Sequence, residues 1–288
     1  MATTGQWIHG ARPRTLGAGV APVLVGTAAA SLETSVKWSY AIGALVVALA
    51  LQVGVNYAND YSDGVRGTDD DRTGPMRLTA SGLATPSEVK TAAIVSFAIA
   101  GIIGLRLAIS VEPILIVLGA ACLVAGWMYT GGKRPYGYAG LGELVVFIFF
   151  GLVATAGSNY LQLERVNAEA WLGGIATGLL AAAILLCNNL RDIETDRVAG
   201  KRTLSVRFGA RWSRRLFFAC IFGAFVTVGF LGAMHGRAFI AVFAGLFALG
   251  PLRIIQFRDD ARSLVRALVM TSRLEVILAV LLAIGLWG

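Results

Sequence analysis

Two polar stretches of the sequence combine asparagine and aspartate at helical spacing, each at the end of a long apolar run. The first contains Asn56, Asp60 and Asp63, and the second contains Asn188, Asp192 and Asp196. Side chains three or four residues apart share one face of an α-helix, so each stretch would present one stripe of oxygen atoms. Magnesium prefers oxygen ligands and commonly connects one or two carboxylates to the phosphates of a substrate. Together the stretches predict a site for a divalent cation and a polyanion such as a diphosphate.

Basic residues in neighbouring segments could surround the rest of such a polyanion. Lys133 and Arg134 lie in one polar loop, and Lys201 and Arg202 follow the second stretch. A diphosphate carries several negative charges, which cationic side chains bind through charge-assisted hydrogen bonds. We therefore predict that these four bases bind the diphosphate. Arg14, directly before the first apolar run, either marks the orientation in the membrane or contacts a ligand.

A glycine-rich loop between two apolar runs carries tyrosines and leaves two interpretations open. Tyr129, Tyr136 and Tyr138 alternate with glycine, proline and basic residues. Such tyrosines can anchor the chain at the membrane interface, or they can wall a pocket for an aromatic substrate. Glu143 begins the next apolar run, where a carboxylate is either a favourable helix N-terminal charge or a residue of the site.

The elements that must position these residues are membrane-spanning helices. The chain has 288 residues, of which 56% are hydrophobic and only 15% are charged. A soluble domain of this length carries more charge, and the apolar runs are individually long enough to cross a bilayer. We predict an all-α, polytopic membrane protein that forms a single domain over residues 1–288. Its nine predicted spans are at about 16–32, 38–59, 91–109, 114–130, 143–161, 171–190, 216–234, 238–255 and 269–287.

The charges support this division of the chain. Nine spans place 21 of the 25 lysines and arginines on one side, which also receives the N-terminus. An excess of basic residues marks the cytoplasmic side of a cell membrane, so the C-terminus is predicted to lie outside. Most of the acidic residues gather on the same side, as expected if the site faces the cytoplasm. The net charge of +8 is explained by this topology, and no nucleic-acid partner is predicted.

These features resemble the UbiA-type intramembrane prenyltransferases, which carry two aspartate-rich motifs at the cytoplasmic ends of the second and sixth of nine helices. The resemblance covers essentially the whole chain. It is finest to the 1,4-dihydroxy-2-naphthoate prenyltransferases of menaquinone synthesis. Three stretches carry that finer resemblance, namely residues 59–63, residues 137–143 and residues 188–204.

The resemblance implies a polyprenyl diphosphate bound through Mg²⁺ between the two motifs. It assigns the metal to Asp60, Asp63, Asp192 and Asp196, assisted by Asn56 and Asn188. The acceptor, 1,4-dihydroxy-2-naphthoate, would attack the allylic cation and lose its carboxylate as carbon dioxide, giving demethylmenaquinone. Candidates for acceptor binding are Arg14, Tyr129, Tyr138 and Glu143. The apolar tail implies a lateral opening to the membrane lipid.

The first motif departs from the spacing common in the family. Many members place its two acids four residues apart, whereas position 64 of this chain is Gly and the second acid is Asp63. Either Asp63 or one of Asp69, Asp70 and Asp71 therefore completes the first half of the site. A run of acids in a loop is also often only solvated surface.

Other classes fit the sequence less well. A transporter usually places ionisable residues near the middle of the membrane, whereas here they gather at the ends of the spans. Membrane phosphatidyltransferases concentrate their acids in one long motif. Within the resembled family the acceptor could instead be 4-hydroxybenzoate, homogentisate or a porphyrin.

Overall fold

A computed structural model describes residues 2–67, 76–132 and 135–288, and within these ranges the regular structure is entirely helical. The predicted all-α class is therefore confirmed. Asp69 to Asp71, Lys133 and Arg134 lie outside the described residues, so their predicted roles stay predictions.

The helices follow the predicted order of apolar segments. They are α1 (Thr4–Gly10), α2 (Gly17–Ser31), α3 (Trp38–Val65), α4 (Pro86–Val111), α5 (Leu115–Met128), α6 (Gly142–Val146), α7 (Ala154–Leu163), α8 (Ala168–Arg191), α9 (Ile193–Val198), α10 (Leu204–Met234), α11 (Gly245–Phe257) and α12 (Ala261–Leu286). A π-helical segment, Phe147–Val153, joins α6 to α7, and 3-10 segments occupy Pro13–Thr15, Tyr136–Ala139 and Gly236–Ala244. The eighth predicted span is thus half 3-10 helix and half α-helix.

Several helices are suited to a bilayer, as predicted. Among the described residues, seven helical segments are long and apolar enough to cross a membrane, while α2 and α5 are apolar but shorter. An α-helix rises about 1.5 Å per residue and needs roughly 20 apolar residues to span the hydrocarbon core. The chain is therefore a multi-pass membrane protein, and the count of nine crossings stays a prediction.

Helix α8, which carries the second motif at its end, is the most buried of the long apolar helices. It packs against α10, α12, α2 and the π-helical segment. Small residues let these backbones approach closely. A Cβ added to Gly151 of the π-helical segment would lie only 2.4 Å from the Cα of Gly178 in α8. Helix α12 also packs along α2, where a Cβ on Gly17 would meet Val276 at 2.6 Å.

Hydrogen bonds between side chains and the backbone fix both ends of the bundle. At one end, α3 holds the N-terminal segment: Tyr57 donates to the Trp7 carbonyl at 2.8 Å, and Asn56 donates to that of Ala11 at 2.9 Å. At the other end, the Gly288 amide donates to the Ser31 hydroxyl at 3.2 Å. The N-terminal segment and Gly288 therefore lie at opposite ends of α2.

Candidate active site

Asp60, in the last turns of α3, is held by the backbone of the segment that follows. Its Oδ2 accepts the Leu78 amide at 2.8 Å, and its Oδ1 accepts the Thr79 amide at 2.9 Å. The carboxylate is 1% exposed. Buried charge of this kind is tolerated because both oxygens accept hydrogen bonds. Asp60 therefore ties the end of α3 to the segment before α4.

Asp63, nearly one turn further along α3, meets side chains from three other segments. The Tyr138 hydroxyl donates to its Oδ1, and the Lys201 Nζ lies 3.2 Å from the same oxygen. The Arg77 Nη2 lies 3.9 Å from its Oδ2. The first motif is thus connected to the loop that carries Tyr129, Tyr136 and Tyr138 (the tyrosine loop), to the segment before α4 and to the second motif.

Asp192 stands at a break that the sequence did not predict. Helix α8 ends at Arg191 and α9 begins at Ile193, with Asp192 at φ −96° and ψ 10° between them. The backbone bonds from Asp192 to Asn188 and from Asp196 to Asp192 persist at 3.0 and 2.7 Å, so the stripe continues across the break. The side chain of Asp192 accepts both Nε and Nη2 of Arg191 at 2.6 Å.

Asp196, in α9, is the acid of the second motif that shares a cation with the first motif. The Lys201 Nζ lies 3.8 Å from its Oδ1, and the Lys201 amide donates to its backbone carbonyl at 2.8 Å. The same ammonium contacts Asp63. One lysine therefore stands between one acid of each motif.

Tyr138 organises the cations around this pair of acids. The Lys201 ammonium lies 4.7 Å and the Arg66 guanidinium 5.2 Å from the centre of its ring. Burial and the neighbouring Asp63 carboxylate raise the pKa of Tyr138, so its hydroxyl stays a hydrogen-bond donor at neutral pH. Among the predicted acceptor-binding residues, Tyr138 is thus placed beside the acids.

A cavity of about 270 Å³ opens next to the two motifs. Its walls are largely apolar and come from α2, α3, α5, α8, α12 and the π-helical segment. The polar residues that line it are His9, Arg12, Arg14, Thr15, Gln52, Asn56, Asn59, Arg77, Tyr129, Tyr136, Asn188 and Arg191. An apolar cavity with a few convergent polar groups is typical of a small-molecule site. Its four arginines favour an anionic group.

The other predicted site residues divide between the cavity and its surroundings. Asn56, Asn188, Arg14 and Tyr129 line the cavity. Glu143 is buried outside the cavity lining, where its Oε1 accepts a hydrogen bond from the side-chain amide of Asn189 at 2.8 Å. Arg202 is exposed, and its backbone amide donates to the Tyr138 carbonyl at 2.8 Å.

Sequence reasoning missed the arginines that accompany the acids. Arg191 pairs with Asp192 and lines the cavity, and Arg77 does the same beside Asp63. Arg66 donates to the Thr130 carbonyl at 2.6 Å and so joins α3 to the tyrosine loop. The adjacency of Arg191 and Asp192 was visible in the sequence, but only the fold could reveal the positions of Arg66 and Arg77.

The arrangement fits a magnesium ion shared with a substrate. Asp63 and Asp196 converge on one cationic group, although the described residues contain no cluster of three His, Cys, Asp or Glu residues close enough to hold a metal alone. Magnesium usually takes one or two carboxylates and completes its shell with water and phosphate oxygens. Two converging carboxylates beside a basic cavity therefore form a suitable donor set.

Comparison with known proteins identifies the family. The family model described as "UbiA prenyltransferase family" matches residues 19–287. A 1,4-dihydroxy-2-naphthoate octaprenyltransferase of Mycobacterium leprae is 47% identical over 256 residues, covering 89% of this chain and 87% of the relative. The Mycobacterium tuberculosis protein of the same name is 54% identical over 217 residues, covering 75% and 74%.

Solved structures agree with the fold. The apo structure of a UbiA homolog from Aeropyrum pernix K1 superimposes with a TM-score of 0.72 at 15% identity, covering 92% of this chain and 96% of that one. A UbiA homolog from Archaeoglobus fulgidus, bound to DMAPP and Mg²⁺, gives 0.66 at 15% identity and covers 96% and 99%.

Proposed function

The chain belongs to the UbiA prenyltransferase family, and from that premise we propose that it transfers a polyprenyl group from a polyprenyl diphosphate to 1,4-dihydroxy-2-naphthoate. The diphosphate and carbon dioxide leave, and the product is a prenylated naphthalenediol, the reduced (quinol) form of demethylmenaquinone. The observation that carries this proposal is the 47% identity, over nearly the whole chain, to a relative named for that reaction. The resemblance inferred from the polar motifs is confirmed at the level of the family.

The proposed metal ligands are the oxygen atoms of the two motifs. Asp63 and Asp196 support this best, because both approach the same cation in the protein. We propose Asp60, Asp192, Asn56 and Asn188 as the remaining members of the site, supplying oxygen atoms or fixing the helix ends around it. Bound magnesium would stabilise the negative charge on the departing diphosphate.

The bases near the motifs are proposed to bind the diphosphate. Lys201 stands between the motifs, and Arg202 follows it in the chain. Lys133 and Arg134 belong to the loop before Tyr138 and keep the same proposed role. Cationic side chains aimed at the leaving group lower the barrier because its charge increases as the allylic C–O bond breaks.

The cavity is proposed to hold the naphthoate ring. Arg14 and Arg191 line it, and either guanidinium can bind the acceptor carboxylate through two parallel hydrogen bonds. Tyr129 gives an aromatic wall, while Tyr138 and Glu143 are proposed to position the residues around the ring. The ring carbon bearing the carboxylate forms the new bond to the prenyl carbon. Loss of carbon dioxide then returns the electron pair to the ring.

The membrane setting completes the proposal. The prenyl tail is apolar and larger than the cavity, so it must extend into the bilayer between helices. We propose nine crossings of the cell membrane by one domain, with the motifs in the cytoplasm and Gly288 outside. A reporter fused after Gly288 is expected to give a non-cytoplasmic signal, and a cytoplasmic signal would reject this count.

The reaction is tested with purified protein in detergent, Mg²⁺, a radiolabelled polyprenyl diphosphate and 1,4-dihydroxy-2-naphthoate. A parallel reaction contains 4-hydroxybenzoate. A prenylated and decarboxylated naphthol in the first reaction alone is the expected result. Product in the second alone would overturn the acceptor while keeping prenyl transfer, and product in neither would overturn the transfer itself.

Metal dependence is tested in the same assay. EDTA should stop product formation, and excess Mg²⁺ should restore it, because the diphosphate leaves as a highly charged anion. Activity that is indifferent to chelation would remove the metal from the proposal.

A further inference from the structure

Among the cations of the described residues, Lys201 is the one whose ion pairs join an acid of the first motif to an acid of the second. Its ammonium lies 3.2 Å from Asp63 and 3.8 Å from Asp196, two acids that belong to different motifs. The side chain is 11% exposed, and the side chains of the two acids are 6% and 12% exposed. Two buried carboxylates brought this close repel each other unless a positive charge lies between them. Lys201 supplies that charge.

The backbone of Lys201 is fixed while its side chain is free to change partners. The amide of Lys201 donates to the Asp196 carbonyl, and the amide of Arg202 donates to the Tyr138 carbonyl, both at 2.8 Å. Gly200, at φ 73°, provides the left-handed turn that places Lys201 there. The flexible four-carbon stem lets the ammonium move without any movement of the loop.

The contacts of Lys201 differ in kind from those of Arg191. Arg191 holds Asp192 with two short parallel bonds of 2.6 Å. The ammonium of Lys201 lies 3.2 Å from one acid and 3.8 Å from the other, and the longer distance exceeds that of a hydrogen bond. Its third contact is with the face of the Tyr138 ring. A loosely held monovalent cation between two carboxylates is replaceable by a divalent one, whereas the arginine fork is not.

We propose that the Lys201 ammonium keeps the place between Asp63 and Asp196 that a divalent cation takes during the reaction, and that it moves to a diphosphate oxygen when that cation binds. The proposal deepens the proposed function and rests on its metal-dependent transfer. Lysine and metal then compete for the same carboxylate oxygens. The free protein consequently binds the metal weakly, and the diphosphate strengthens that binding by giving Lys201 a new partner.

The competition is tested by Mn²⁺ binding to the full chain in detergent, without prenyl diphosphate or acceptor, measured from the electron paramagnetic resonance signal of free Mn²⁺. Lys201→Met should bind Mn²⁺ roughly tenfold more tightly than the unmodified chain, because the metal no longer has to displace a positive charge from the carboxylate oxygens. Lys201→Arg, which keeps a cation in place, should retain the weak binding.

Arg197→Met is the matched control. Arg197 lies four residues before Lys201, is exposed, and pairs with Glu194. Its replacement removes the same charge from the neighbouring helix α9 without opening the space between Asp63 and Asp196. Binding by Arg197→Met should therefore equal that of the unmodified chain. If Lys201→Met and Arg197→Met bound Mn²⁺ more tightly to the same extent, the lower net charge alone would explain the effect, and the proposal would be overturned.

The remaining outcomes separate this proposal from the proposed function. Binding by Lys201→Met that is no tighter than that of the unmodified chain overturns the role of Lys201 alone. Failure of every variant, Lys201→Met included, to bind Mn²⁺ also overturns the role of Lys201, and the EDTA assay then decides separately whether the reaction needs the metal. If Lys201→Met is too unstable for the binding assay without metal, thermal unfolding in the presence of Mn²⁺ tests the same proposal. Mn²⁺ should then raise the Tm of Lys201→Met more than it raises the Tm of the unmodified chain. An equal or smaller rise contradicts the proposal.

Discussion

The motif that ends α3 and the motif that ends α8 have similar sequences but different supports. In each motif, the acid nearer the start of the stretch (the inner acid) is bound by groups outside the opposite motif. The later acid (the outer acid) faces the opposite motif. The inner acid of the first motif, Asp60, accepts two backbone amides of a later segment, whereas that of the second, Asp192, is paired with the adjacent Arg191. The outer acids, Asp63 and Asp196, share Lys201.

This difference shows that two motifs with the same residue spacing can stabilise their buried carboxylates by different interactions. Neutral amides hold Asp60, so its charge is balanced by several weak dipoles. A buried cation holds Asp192, so each partner of that pair depends on the other for its charge. The outer acids face a cation that can exchange. We therefore expect inner acids to affect stability most and outer acids to affect turnover most.

The largest expected effect is on turnover, in Asp63→Asn and Asp196→Asn. Each removes a carboxylate charge from the place where the diphosphate leaves, and kcat should fall by about 10²–10³-fold, as for loss of one transition-state contact. Assays should use membranes with matched amounts of protein. Near-normal turnover in either variant would contradict the proposal that Asp63 and Asp196 both act at the departing diphosphate.

The next effect concerns the stability of the inner acids. Asp192→Asn leaves the Arg191 charge buried without its counter-charge and should lower the free energy of unfolding by about 3–5 kcal/mol. Asp60→Asn keeps an oxygen for one of the two amides and should cost about 1–3 kcal/mol. Thermal unfolding in detergent provides the ranking.

A double variant sharpens this ranking. Arg191→Met combined with Asp192→Asn removes both charges, so its Tm should lie above that of Asp192→Asn alone. A double variant less stable than Asp192→Asn would show that Arg191 stabilises the fold independently of Asp192. Asp60→Asn less stable than Asp192→Asn would reverse the comparison between the motifs.

The smallest effect is expected from Tyr138→Phe. The ring that faces Lys201 and Arg66 remains, and only the hydrogen bond to Asp63 is lost. Turnover should fall by roughly threefold to tenfold, in keeping with a net hydrogen-bond contribution near 1 kcal/mol. Because the pKa of Tyr138 is raised, its hydroxyl stays protonated well above neutral pH.

The activity ratio of the unmodified chain to Tyr138→Phe should therefore be constant between about pH 6 and pH 9. A ratio that falls as the pH rises through this range would mean that the hydroxyl ionises there. That result would contradict its role as a permanent donor to Asp63.

The sequence predicted the helices and the polar faces of the site, because apolar length and residue spacing are local properties. It identified Asn56, Asp60 and Asp63 as one face of α3, which is how they lie. It could not identify the partners of these residues. The amides of Leu78 and Thr79 reach Asp60 only through the path of the intervening segment, and Lys201 reaches Asp63 only because the segment after α9 lies beside the end of α3.

The break at Asp192 was also beyond the sequence. An ideal helix through residues 188–196 satisfies the same spacing, and the choice of a separate α9 depends on how the following loop packs on Tyr138. Of the four cavity arginines, Arg14 alone was proposed from the sequence to bind a ligand, and the other three were counted only as topology signals. Which of them turn inwards depends on the packing of α2, α3, α8 and α12 around the space.

The packing of α12 along α2 has a consequence for biogenesis. Most of the chain separates these helices, so the ribosome completes α2 long before α12 is made. Until then, the face of α2 that α12 later covers meets lipid or the insertion machinery. Closure of the bundle therefore requires α12, and a nascent chain released before Ala261 leaves that face of α2 uncovered, where membrane quality control can recognise it.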